Sequence, residues 1–146
     1  HFKGATGAAA VAIAADEATR SDSERDAGPV SHGPLIPDQI VYAGSLPLLL
    51  DRNDTEEVVG AKTALYRAQH GRLPIVAVIP ATAVIARGDS QGGADNALAV
   101  FLDALRVARE AGLLGEVRVM DEEERCFIEH WEAESYRRQV ASTGLP

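Results

Sequence analysis

Apolar residues along this chain fall into short runs separated by polar, Gly- and Pro-rich stretches, and the spacing within each run predicts its element. Ala8 to Ala15 is a continuous small apolar run whose period fits either a buried strand or the first turns of a helix. From Asp16 to Gly33 the chain turns to Asp, Glu, Ser, Arg, Gly and Pro, which predicts a long surface loop with room for one helical turn. Pro34 and Pro37 bracket a rigid entry to Gln39-Ile40-Val41-Tyr42-Ala43, a β-prone stretch ending at Gly44, and Leu46 to Leu50 reads as a second short strand.

Asp54-Thr55-Glu56-Glu57 has the spacing of a capping box, with the Asp54 carboxylate accepting an orphan amide near Glu57; it opens a helix that Gly71 ends after His70. Pro74 to Pro80 is uninterrupted apolar chain between prolines, the pattern of a central strand covered on both faces. Ala83 to Ala86 follows after only Pro80, Ala81 and Thr82, too short for a crossover, so the two should form an antiparallel hairpin at the core of the sheet. Ala94, Ala97, Leu98, Phe101, Leu105 and Ala108 recur at three and four residues and predict a helix from about Gly92 to Ala111. Val117 to Val119 leads to a second capping box, Asp121 with Glu124. The terminal helix that follows carries Phe127, Ile128 and Trp131 on one side and Glu and Arg residues on the other.

The expected fold is α/β, with a mixed or mostly antiparallel central sheet flanked by helices. Residues 1–33 should form an N-terminal segment and surface loop, and residues 34–146 the domain proper. At 146 residues, 46% hydrophobic and 25% charged, the chain is suited to one packed core rather than wholesale disorder. Fourteen basic against twenty-two acidic side chains give a formal charge of −8, which repels phosphate polyanions and argues against nucleic acid as a partner. The single cysteine, Cys126, cannot form an intrachain disulfide and suits a reducing compartment. No apolar run approaches the roughly 20 residues of a membrane span, and the start lacks the order of a signal peptide. We therefore expect a cytoplasmic protein without membrane contact. The opening His1 in place of methionine suggests a fragment or a processed chain.

Few residues offer chemistry. Cys126 and His130 share a helical face and form at most half a metal site, since Zn²⁺ takes three or four ligands and His1, His32 and His70 have no paired spacing with them. The plainer reading is a packed cysteine beside a rim histidine. Gly4-Ala5-Thr6-Gly7 has the glycines of a phosphate-cradling loop but lacks the Lys-Ser or Lys-Thr that completes one, and a flexible start explains it as well. Gln91-Gly92-Gly93 precedes a helix, so Gly92 and Gly93 are weak candidates for binding an anion through backbone amides, against the plainer reading of a helix-opening turn. Ser31 with His32, or Ser135 near acidic residues, has no nucleophile elbow to support a hydrolytic triad. Asp121 to Glu124, Glu129, Glu132 and Glu134 fit a helix N-terminus and a solvated face. The richest polar and aromatic cluster is on the terminal helix, where Trp131, Glu134, Tyr136 and Arg137 are candidates for a partner contact or for closing a site, against a helix that simply packs Trp131.

Two stretches carry a family resemblance. Gly33-Pro34-Leu35-Ile36-Pro37-Asp38-Gln39-Ile40-Val41 resembles the Gly-Pro-Leu-x-Pro-Asp-His stretch of the long class II aldolase/adducin proteins, and Phe127 to Tyr136 resembles their closing Phe-x-x-x-Trp-x-x-Glu helix. With the order of hairpin, Gly88, long helix and capped terminal helix, the similarity covers about Gly33 to Gln139. The resemblance implies the C-terminal half of that fold. In such proteins a His-x-His pair and a later histidine bind a divalent metal, usually Zn²⁺, for carbon–carbon bond chemistry on sugar phosphates, and some members are scaffolds. This chain departs from the pattern: Gln39 stands where long members have histidine, Ala81 occupies the turn where compact members have His-Gly, and no His-x-His occurs. The expectation is thus a domain or subunit of an aldolase-type lyase, itself without the metal triad. It would work as a homo-oligomer or with an upstream half or partner chain, with zinc only in the complete assembly. The alternatives are a non-catalytic scaffold and a small-molecule-binding α/β domain using Gly92 and Gly93.

Overall fold

The computed structural model describes residues 1–24 and 27–143, and their side chains except for 132–134 and 136–143. In chain order the elements are helix α1 (Phe2–Thr6), strand β1 (Ala10–Ala14), helix α2 (Glu17–Asp22), a 3₁₀ turn (Gly28–Ser31) and helix α3 (Pro37–Ala43). Strand β2 (Leu48–Leu49), helix α4 (Glu56–His70), strands β3 (Val76–Ile79) and β4 (Ala83–Gly88), and helices α5 (Gln91–Gly112) and α6 (Glu122–Thr143) complete them. The protein is a mixed α/β domain with one four-stranded sheet in the order β1-β4-β3-β2. β4 pairs antiparallel with both β1 and β3, and β2 runs parallel to β3.

The β3–β4 hairpin is the centre of the sheet, as its unbroken apolar pattern predicts. Side chains alternate between the faces of a strand, and both faces are covered. Val76, Val78, Val84 and Ala86 join Ala97, Phe101, Ala104, Leu105 and Ala108 of α5 in one core, while Ala77 belongs to a second with Phe2, Leu48, Val59 and Tyr66 from α1, β2 and α4. The periodic face of α5 is buried as expected, with Leu98 only half-buried and Ala104 added to it. The turn from β4 into α5 is tight at Gly88, where an added Cβ would stand 2.5 Å from the Ala94 nitrogen.

Several expectations are corrected. Residues 39–43 are helical rather than extended: Pro37 sits in the first turn of α3, and Ile40 and Ala43, one turn apart, are buried, Ala43 in the core it shares with α5. Packing outweighs the β preference of Ile40, Val41 and Tyr42. Residues 16–33 are not simply a surface loop. Asp16 caps α2 by accepting the Thr19 N–H at 2.7 Å, and Thr19, Ser23, Ala27 and Val30 are buried. β1 lies in the same sheet as the hairpin, and the Ser23 carbonyl accepts the Ala81 N–H at 3.3 Å, so the boundary expected after residue 33 falls within one packed unit. Thr55, not Asp54, caps α4, its Oγ1 accepting from Val58 N–H at 3.3 Å. Asp54 instead receives Lys62 Nζ at 2.6 Å and the Asp51 N–H at 2.8 Å, which hold its carboxyl below the usual range. Gly71, at φ 73°, ends α4 where expected. No helix among the described residues is long and apolar enough to cross a membrane.

Two glycines make opposite predictions. Gly88→Ala forces backbone of the α5 entry to move and should destabilise the domain by about 1–3 kcal/mol. Gly60, inside α4 with open space where a Cβ would go, should gain about 0.5–1 kcal/mol on replacement by Ala. Urea denaturation of both variants checks the pair.

Candidate functional site on the terminal helix

Helix α6 is fixed at its start by groups legible in the sequence. Asp121 Oδ1 accepts the Glu124 N–H and Glu124 Oε2 accepts the Asp121 N–H, both at 2.9 Å, completing the reciprocal box. Arg118 adds a 2.7 Å contact to Glu124. Just upstream, the Met120 N–H donates to the Pro34 carbonyl at 2.8 Å, and Gly33 lies so close beneath that a Cβ there would meet Met120 O at 2.6 Å. The Gly33-Pro34 stretch and the entry to α6 are therefore one joint.

Beside its packing on α3, with Ile128 half-buried, the helix is held on the body by polar contacts. Glu129 accepts the Ser45 hydroxyl and faces the Arg72 guanidinium at 4.0 Å. Around it, Tyr66 donates its hydroxyl to the Leu46 carbonyl at 2.6 Å and stacks at 4.4 Å, tilted, on His70. Burial, and then the negative Glu129, push the Tyr66 phenol up to about 12. The cleft between these groups is about 70 Å³, well below the roughly 300 Å³ at which small-molecule pockets begin. It is a clasp rather than a substrate site.

Phe127 and Trp131 stand two positions before and after Glu129. At about 100° per residue both project from the side opposite it. They are 71% and 59% exposed. Over its described side chains the helix thus turns Glu129 inward, with Ile128 half-buried beside it, and Phe127 and Trp131 outward, so the expectation that Ile128 shares their side and the reading in which α6 packs Trp131 into its own domain are both corrected. Cys126 is likewise exposed rather than packed, and His130 Nδ1 lies 2.9 Å from the Cys126 carbonyl. The side chains of Glu134, Tyr136 and Arg137 lie outside the described residues.

The other candidates separate. At the start of α5 the Ser90 hydroxyl accepts the Gly93 N–H at 3.1 Å, so one of the two amides proposed for an anion is already used as a cap, while Gly92 stays at the exposed first turn. Gly4 to Gly7 are the end of α1, closed by Gly7 at φ 65°. Ser31 donates to the Gly28 carbonyl at 2.7 Å, a local turn contact without a base. Among the described residues no three His, Cys, Asp or Glu side chains are grouped to hold a metal ion. Sequence reasoning missed Glu129, Ser45 and Tyr66 as a unit. The available signal was a lone carboxylate centred between two aromatics at helical spacing.

Fold and site together define a mixed α/β domain that offers an aromatic helix face to its surroundings. No family model matches the chain, and no curated protein matches it.

The raised Tyr66 value has a consequence for stability. The unfolded chain loses this phenol proton near pH 10 and the folded one near 12, so the contribution is complete below pH 10 and is lost between the two. The loss should be on the order of 2 kcal/mol. Denaturation at stepped pH should show the decline, and Tyr66→Phe should flatten it over this window.

Proposed function

We propose that this chain is the C-terminal domain or subunit of a class II aldolase/adducin-type metal-dependent lyase acting on a sugar or sugar phosphate. Its own part is to supply fold, subunit contact and site closure. The observation that carries this reading is the outward pair Phe127 and Trp131 on a helix held by Glu129. Exposed aromatics at helical spacing are the side chains most used to anchor an interface. A second fact supports it: the two stretches that carry the resemblance are neighbours in space, joined through Pro34 and Met120 and by packing of α3 on α6.

The metal such a lyase uses does not fit the donors described here. Gln39 is buried with its Oε1 accepting the Leu35 N–H at 3.0 Å, and Ala81 offers only a methyl group at the hairpin turn. The zinc ligands in this reading therefore belong to another segment or chain, and no step of the chemistry is assigned to residues of this domain. The role left to α6 is to bury its aromatic face against that segment and exclude water from the edge of the site.

Trp131 is the only tryptophan, so its fluorescence reports on the contact directly. Emission should be that of a water-exposed indole in the isolated chain and should shift to the blue in the native assembly. Phe127→Ser with Trp131→Ser should leave urea stability within about 0.5 kcal/mol while abolishing co-purification with the assembly, measured by sedimentation. Metal analysis of that assembly should find zinc in an associated chain. An assembly free of metal in every chain would leave the scaffold reading in place of the lyase.

A further inference from the structure

On the flank of the domain formed by α3 and α5 lies a groove of about 300 Å³ that the aldolase-type reading does not use. Its walls are apolar, with Ile36 and Tyr42 from the α3 side and Val100 and Val107 from α5, and Ile36, Tyr42 and Val107 are about half exposed. The polar groups lining it are few and of one kind of charge. Asp38 and Asp103 contribute carboxylates, and among the described residues no lysine, arginine or histidine lines the groove. In a chain of net charge −8 such a groove rejects anions, sugar phosphates included, and favours a cation.

Gln39 also lines this groove and is 1% exposed. Its Oε1 accepts the Leu35 N–H, which fixes the orientation of the amide and leaves Nε2, buried, without a hydrogen-bond partner. A buried donor without an acceptor is costly and rare in native structures. Here it stands at an apolar groove with two carboxylates, the combination of shape and sparse polar groups that marks a small-molecule site.

We infer that the α3–α5 groove binds a small organic cation that carries an apolar body and a carbonyl acceptor. The apolar body lies along Val100 and Val107, the cation faces Asp38 and Asp103, and the carbonyl accepts from Gln39 Nε2 as the rim side chains of Ile36 and Tyr42 give way. The inference rests on α3 and α5 alone and stands whether or not the lyase reading holds.

Phenylalaninamide, which has all three features, is a suitable probe, and N-acetylphenylalaninate is its anionic counterpart. Titration of the full ¹⁵N-labelled chain should shift the paired side-chain NH₂ signals of Gln39 saturably, with a midpoint in roughly the millimolar range for a ligand of this size. The anion should produce no saturable shift. Asp38→Asn with Asp103→Asn changes only exposed carboxylates, so the fold should persist, as the remaining spectrum will show, while affinity falls roughly two- to fivefold or more. Gln39→Met should weaken binding with the cation preference intact. The inference is overturned if the Gln39 NH₂ signals do not respond, if the anion binds as well as the cation, or if neither variant changes the affinity.

Discussion

The β3–β4 hairpin must be covered on both faces, and the remainder of the architecture follows from that requirement. Val76, Val78, Val84 and Ala86 belong to the core on one side and Ala77 to the core on the other. A 22-residue helix, α5, covers the first face. No single following element covers the second, so α1 and α4 do so together, reaching it from parts of the chain that precede the hairpin. Once the chain before the hairpin is committed to this packing, β1 can complete the sheet beside β4 at little further entropic expense, since its ends are already fixed. That is why the Ala-rich segment near the start belongs to the core sheet although nothing in its own composition distinguishes strand from helix.

Helix α6 comes after both faces have been filled. Its hydrogen-bonded attachment is through the Ser45 and Arg72 contacts of Glu129 and the backbone bond from Met120 to Pro34, beside its packing on α3 with Ile128 half-buried. With Glu129 turned inward, Phe127 and Trp131 on the opposite side of the helix face outward. The exposure of Phe127 and Trp131 is therefore a consequence of how the core closes earlier in the chain, and it makes this face the place where further burial is available to the protein.

Elements whose pattern extends over many residues were legible in the sequence. The hairpin, the buried face of α5, the Gly71 stop and the Asp121–Glu124 box all follow from periodicity or from local hydrogen-bonding chemistry, which need no knowledge of distant residues. The failures share a cause. Residues 39–43 have β-branched and aromatic side chains that predict a strand, but as a helix packed on α5 and α6 they bury both Ile40 and Ala43. Residues 16–33 look soluble because their few apolar residues are scattered, yet Ala27 and Val30 fill a gap beneath α5. On α6 the aromatic side was visible, while its direction was not: whether Trp131 faces in or out depends on Ser45 and Arg72, more than fifty residues away along the chain. The place of Gln39 beside the groove is not legible in the sequence, because the groove forms from two helices that sequence alone does not juxtapose.

The conflict at α3 bears on both surfaces. A seven-residue helix with β-prone Ile40, Val41 and Tyr42 at its centre has little intrinsic stability, so its conformation is supplied by its neighbours. It packs against α5 on one side and α6 on the other. The places where local preference loses to the global fold, and where a buried amide is left unsatisfied, are the ones where natural sequences most often hold function rather than stability. α3 carries both marks. It supplies Asp38, Gln39 and Tyr42 to the groove, and its entry through Pro34 is tied to the start of the helix that presents Phe127 and Trp131.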